Sequence, residues 1–78
     1  SSEDMLEKGK SLMKEGKFRD ALTYLNKAIE GDNTNHEALN ARGVVYYELR
    51  EYTNALLDYD QALKLNLIII VHIITGPC

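Results

Sequence analysis

Residues 9–30 read GKSLMKEGKFRDALTYLNKAIE, and residues 43–64, which begin 34 positions later, read GVVYYELREYTNALLDYDQALK. When the second stretch is placed on the first, small residues meet small residues and an aromatic ring meets an aromatic ring. The pairs that carry this match are Gly9/Gly43, Phe18/Tyr52, Ala21/Ala55, Leu22/Leu56 and Ala28/Ala62. A fixed register of this kind indicates two copies of one supersecondary unit.

Each copy contains two helical patterns, because its apolar residues recur at spacings of three and four. The stripes of the first copy are Leu6, Gly9, Leu12 and Met13, then Phe18, Leu22, Leu25 and Ile29, and those of the second are Leu39, Gly43, Tyr46 and Leu49, then Tyr52, Leu56, Tyr59 and Leu63. The breaks at Gly16-Lys17 and Arg50-Glu51 are so short that each must join an antiparallel helix pair. The sequence therefore predicts helices near 2–15, 18–30 and 35–49, and a fourth from 52 to at least 65.

Local signals support these helix starts and the close packing of each pair. Ser2 precedes two acids and is the expected N-cap of the first helix, while Thr34 and Asn35 are equally good caps for the third. Gly9 and Gly43 have no side chain, so we expect the second helix of each pair to approach the first closely at these points.

The last segment, residues 67–78, lies outside the repeat pattern. Its run from Leu67 to Thr75 contains no Asp, Glu, Lys or Arg and is too short to span a bilayer as a helix. Its β-branched residues favour a paired strand. Because no proline ends the fourth helix at Leu67, that helix could equally run on through Ile74 until Gly76-Pro77 stops it. Both alternatives stay open from the sequence.

Composition excludes several function classes. The 78 residues include 12 acids and 9 bases, a formal net charge of −3, which argues against nonspecific binding to nucleic acid. The residues suited to ligating metals are mainly His36, His72 and Cys78, and their spacing matches no zinc motif. We therefore expect no enzyme, no metal and no cofactor. A single cysteine and the lack of an apolar N-terminal stretch favour a cytoplasmic location, and we expect no role at a membrane.

With these residues in place, the chain resembles the tetratricopeptide repeat family. The family pattern is carried by Met5, Gly9, Leu12, Phe18, Ala21, Leu25 and Ala28, and again by Leu39, Gly43, Tyr46, Tyr52, Ala55, Tyr59 and Ala62. The usual Trp is replaced by Met5 and Leu39, and the usual helix-ending Pro by Asn33 and Leu67. The resemblance implies an all-α fold of two stacked helix pairs, a short α-solenoid, with repeats at about 1–34 and 35–66.

The resemblance also implies a scaffold that binds a peptide or partner protein in a concave groove lined by the first helix of each repeat. Carried over by position, the groove residues are Leu6, Lys10, Met13, Lys14, Asn40, Val44, Tyr47 and Glu48. Leu6, Lys10 and Ala41 stand where a chaperone-tail clamp would need Lys, Asn and Asn, so we do not expect that clamp. The alternative function is self-association, in which the apolar residues 67–78 mediate a homodimer or a higher oligomer.

Overall fold

The computed structural model describes the backbone of residues 1–75 and the side chains of residues 1–67. It contains four helices, α1 (Ser2–Lys14), α2 (Phe18–Gly31), α3 (His36–Glu48) and α4 (Tyr52–Thr75), and no strand lies within this described part. The helices α1 and α2 pack as one pair and α3 and α4 as another, while α3 also packs against α2 and touches α1. The predicted all-α fold of two stacked helix pairs is confirmed.

The two turns inside the helix pairs have the same backbone geometry. Gly16 has a φ of 77° and Arg50, its counterpart 34 residues later, a φ of 66°. Each left-handed residue lets the next N–H reach back over the helix end. Lys17 N–H donates to the carbonyl of Leu12 at 2.9 Å, and Glu51 N–H to that of Tyr46 at 2.8 Å. The repeat therefore extends to the backbone of its turns, although only the first turn has a glycine to suit it.

The caps differ partly from the sequence expectation. Ser1, not Ser2, is the N-cap of α1, with its hydroxyl accepting from the N–H of Asp4. Ser2 has another function, because its hydroxyl donates to the carbonyl of Ala28 at 2.8 Å and so joins the start of α1 to the end of α2. Of the two caps open for α3, the structure uses Asn35, whose side chain accepts from the N–H of Ala38 at 3.1 Å.

The link between the repeats is closed by a hydrogen-bonded turn. The carboxylate of Asp32 accepts from the hydroxyl of Thr34 at 2.6 Å and from its backbone N–H at 3.0 Å. These bonds lower the pKa of Asp32, since both favour its charged form. Polar hydrogen bonds within this turn therefore hold the link that leads the chain from α2 into α3.

Small residues let the helices of each pair approach closely. A Cβ added to Gly9 would lie 2.8 Å from both Cγ and Cδ2 of Leu25, and one added to Gly43 would lie 2.6 Å from Cε1 of Tyr59. Around these seams lies one core of buried residues from α1, α2 and α3, namely Leu6, Leu12, Ala21, Leu25, Ala28, Ala38, Ala41 and Val45. The expected close approach at both glycines is confirmed.

The fourth helix continues past the repeat. It runs without a break from Tyr52 to Thr75, so the helix alternative for the apolar tail is confirmed over 67–75 and the strand alternative is wrong. Without a proline at Leu67, the i→i−4 hydrogen bonds of α4 have no reason to stop there. The expected helix end at Gly76-Pro77 lies outside the described residues.

One ion pair links three helices. Arg42 on α3 makes a two-pronged contact with Asp58 on α4, Nε to Oδ2 and Nη2 to Oδ1, both at 2.7 Å. Its Nη1 donates to the side-chain oxygen of Asn26 on α2 at 3.1 Å, and the guanidinium lies over the ring of Tyr46 at 5.7 Å. Asp58 is only 5% exposed, so its charge depends on this partner. The network fixes how the second repeat sits on the first.

Candidate functional site

The candidate site is a groove between α1 and α3. Its volume is about 400 Å³, and its lining residues are Lys10, Met13, Lys14, Phe18, Val44 and Glu48. Met13, Phe18 and Val44 are half-buried and form an apolar floor, while Lys14 and Glu48 are exposed at its edge. The helical spacing of Lys10, Met13 and Lys14 puts them on one side of α1, and Phe18 enters from the start of α2.

The charges of the groove are unevenly paired. The ammonium of Lys10 lies 3.5 Å from a carboxylate oxygen of Glu7 and 3.6 Å from one of Glu37, so it bridges α1 and α3. Within residues 1–67, no carboxylate lies at ion-pair distance from Lys14 in the structure. Exposed pairs of this kind contribute about 0–1 kcal/mol each, so the Lys10 ammonium is free to exchange partners when an anionic ligand arrives.

A pair of tyrosines extends the concave side into the second repeat. The rings of Tyr47 and Tyr52 meet edge to face, with centroids 5.4 Å apart, and Tyr47 is 56% exposed. By the 34-residue register they occupy the positions of Met13 and Phe18. A large aromatic side chain this exposed is suited to act as an anchor for a partner.

Five of the eight groove residues predicted from the sequence line this one groove in the structure. They are Lys10, Met13, Lys14, Val44 and Glu48. Tyr47 lies beyond it on the second repeat, and Asn40 lies elsewhere, in a depression of about 600 Å³ between α3 and α4 that also includes Tyr59 and Leu63. Burial raises the pKa of Tyr59, with Tyr47 and Glu48 adding to the effect.

Leu6 is not on the open face that the sequence predicted. It is 3% exposed and belongs to the core, and so does Ala41, which stands at a position that the chaperone-tail clamp would use. Both residues lie in the core that α1, α2 and α3 share, so this part of the inner surface is closed rather than open. Phe18 was missed as a lining residue, although its place directly after the Gly16-Lys17 break brings it beside Met13.

The part of the chain that the structure describes contains neither a membrane-spanning helix nor a metal-binding cluster. No helix there is both long enough and apolar enough to cross a membrane. Nor do three His, Cys, Asp or Glu side chains in that part lie together as a metal-binding group.

Stacked helix hairpins at a 34-residue period, with a groove between their first helices, define the class of α-solenoid repeat proteins. Residues 6–66 match the family model described as tetratricopeptide repeat, and the chain belongs to this family. Repeats of this family generally mediate protein–protein interaction and are typically not catalytic.

Three curated relatives share the repeat region. The chain is 36% identical over 63 residues to DnaJ homolog subfamily C member 3 of Gallus gallus. The matched region covers 81% of the chain and 12% of that protein. It is 33% identical over 55 residues to intraflagellar transport protein 70A of Danio rerio, covering 70% of the chain and 8% of the relative. It is 33% identical over 57 residues to tetratricopeptide repeat protein 34 of Xenopus laevis, covering 73% and 10%. The chain thus spans about a tenth of the length of these relatives.

Proposed function

We propose that this chain is a binding scaffold that takes an extended peptide of a partner protein in the groove between α1 and α3. The observation that supports this most is the apolar floor of Met13, Phe18 and Val44 beneath the ammonium groups of Lys10 and Lys14. An apolar floor contributes affinity by burial, and a charged rim selects the ligand. The ligand we propose is a peptide with a large apolar side chain next to one or more acidic residues.

The charge balance of the groove supports the acidic preference. Lys14 has no carboxylate partner within residues 1–67, and Lys10 can exchange the exposed Glu7 for a ligand carboxylate. Glu48 at the opposite edge would repel an acid placed there, so the acidic residue of the ligand should lie at the α1 side. Such binding needs no catalytic step and no cofactor, and the single cysteine of the sequence favours a reducing compartment such as the cytosol.

Panning a library of short random displayed peptides on the immobilised chain tests the proposal. We expect selected peptides to combine an apolar residue with Asp or Glu. Val44→Glu should weaken their binding about tenfold or more, because it puts a carboxylate on the apolar floor. Lys14→Glu should lower the affinity for acidic peptides. It should also reverse the salt dependence of their binding, because salt then screens a repulsion instead of an attraction. Leu57→Glu, on α4 and away from the groove, is the control.

Two outcomes would contradict groove binding. One is a selection with no enrichment over the starting library. The other is a set of binding peptides whose affinity is the same for wild type and Val44→Glu. Met13→Ala and Tyr47→Ala, made singly and together, then separate the two parts of the concave side, since Met13 lies in the groove and Tyr47 beyond it.

Self-association is a second candidate, favoured by the exposed apolar side chains on α4. Tyr52, Leu56 and Leu63 are each more than half exposed, and α4 continues into the apolar residues 67–75. In this alternative those residues join two or more copies. Sedimentation equilibrium of the full chain over a range of concentrations tests it, because a mass near 8.8 kDa at every concentration would exclude an oligomer.

A further inference from the structure

The floor of the groove between α1 and α3 contains one side chain whose polarity a mild oxidant changes. The chain has two methionines, Met5 and Met13, which are both half-buried and packed against the core. Met13 lines the groove together with Phe18 and Val44, whereas Met5 is not among the lining residues. Mild oxidants attack the sulfur of a thioether but not the phenyl ring of Phe18 or the isopropyl group of Val44. Oxidation at Met13 would therefore act directly on the apolar floor.

The 34-residue register separates the two methionines in the same way. The counterpart of Met13 is Tyr47, which is 56% exposed on the concave side. The counterpart of Met5 is Leu39, which is buried at 4% exposure. The position of Met13 is thus on the concave side of its helix in both repeats, and the position of Met5 is on the core side. Leucine at the second of these positions also indicates that Met5→Leu is compatible with the fold.

The oxidation of Met13 needs a peroxide as its co-reactant. Hydrogen peroxide transfers one oxygen atom to the sulfur, so that the thioether is oxidised to a sulfoxide and the peroxide is reduced to water. The side chain stays uncharged but gains a strongly polar bond between sulfur and oxygen. In the open groove water hydrates this oxygen, whereas an apolar side chain bound on the floor would remove that water. The free-energy cost of the sulfoxide therefore falls on the bound state.

We propose that Met13 is a modification site, oxidised by a peroxide to methionine sulfoxide, and that this sulfoxide lowers the affinity of the groove for its peptide. The inference rests on the proposed function, in which an apolar side chain of the peptide occupies the floor. The reaction leaves the ammonium groups of Lys10 and Lys14 unchanged, so the preference for acidic residues persists while the apolar contribution falls. Methionine sulfoxide reductases reverse the change, with one enzyme for each epimer of the sulfoxide.

Protection by a bound peptide locates the reactive methionine. The probe is a fluorescein-labelled, methionine-free peptide from the panning selection on the unoxidised chain. The full chain is treated with hydrogen peroxide with and without a saturating amount of this probe, and peptide mapping by mass spectrometry gives the oxidised fraction of each methionine. We expect the probe to slow the oxidation of Met13 and to leave the rate at Met5 unchanged, since Met5 does not line the groove.

Variants with a single methionine separate the two positions, since Met5→Leu retains Met13 and Met13→Leu retains Met5. Each variant is treated with peroxide and then with dithiothreitol, which reduces a disulfide of Cys78 but not a sulfoxide. Fluorescence anisotropy of the probe should show an affinity about tenfold lower for oxidised Met5→Leu. The affinity of oxidised Met13→Leu should stay within about twofold of its untreated value. Methionine sulfoxide reductases should restore binding to Met5→Leu, and circular dichroism should show an unchanged helix content throughout.

Several results would overturn the proposal. An unchanged affinity of Met5→Leu, with its sulfoxide confirmed by mass spectrometry, would leave groove binding in place and exclude its regulation by Met13. An equal loss of affinity in oxidised Met13→Leu would assign the effect to Met5 and the core, and a parallel loss of helix content would assign it to unfolding. If no selected peptide binds the unoxidised chain, the proposed groove function itself is contradicted, and its regulation with it.

Discussion

Removing the carboxylate of Asp58 should destabilise the chain more than any change at an exposed ion pair. In Asp58→Ala the guanidinium of Arg42 loses two charge-assisted hydrogen bonds of 2.7 Å and keeps only Asn26 as a hydrogen-bond partner. Breaking a buried ion pair costs about 3–5 kcal/mol. The side chain of Arg42 is 22% exposed and can recover some hydration in the variant. We therefore expect the free energy of unfolding to fall by about 2–4 kcal/mol.

This loss is large for a domain of 78 residues, whose whole free energy of unfolding is about 4–12 kcal/mol. Urea unfolding followed by circular dichroism measures it. The control on the same helix is Asp60→Ala, which removes an exposed pair with Lys64 and should cost about 0.5 kcal/mol or less.

A second variant separates the ion pair from simple loss of packing. Combining Asp58→Leu with Arg42→Met removes both charges and leaves neither unpaired, so the double variant should be more stable than Asp58→Ala. A free energy of unfolding for Asp58→Ala within about 0.5 kcal/mol of wild type would refute the reasoning, since it would show that Arg42 does not depend on this carboxylate.

The same urea assay tests three smaller changes. Arg50→Gly should stabilise the chain by about 0.5–1 kcal/mol, because glycine adopts the positive φ of this turn without strain and its counterpart is already Gly16; a loss of stability would contradict this. Gly9→Ala should cost about 1–2 kcal/mol despite the better helix propensity of alanine, because the new Cβ would meet the fully buried Leu25 at 2.8 Å. Asn35→Ala should cost about 1 kcal/mol by removing the N-cap of α3, and no measurable change would mean that the hydroxyl of Thr34 replaces it.

Short-range patterns in the sequence predict most of the helix positions. Helices predicted at 18–30 and from 52 onward begin at the observed first residues, Phe18 and Tyr52. This success has a local cause, since apolar spacing, turn residues and the absence of a proline act within a few residues along the chain. For the tail the sequence left a strand and a continued helix open, and the structure decided for the helix as far as Thr75.

Tertiary structure, by contrast, decides which of the apolar side chains are buried. The sequence treated Leu6 and Val44 alike, as apolar residues on the open side of a first helix. Only the packing of the helices decided between them, because Leu6 lies in the core shared by α1, α2 and α3 while Val44 remains in the groove. Burial depends on neighbours that are distant in sequence, so helical periodicity gives the apolar side of a helix but not its full extent.

The 34-residue repeat thus determined by itself the four helices, their pairing and the family to which the chain belongs. The link from Arg42 to Asp58 and Asn26 was decided by tertiary structure alone, since its three residues lie on three helices and the first repeat has Lys8 and Tyr24 where the second has Arg42 and Asp58. Tertiary structure likewise decided which face of α4 is exposed. The apolar stripes of α2 and α4 are alike, but α2 lies between α1 and α3, whereas α4 packs against α3 alone within the described residues, so Leu56 and Leu63 stay exposed.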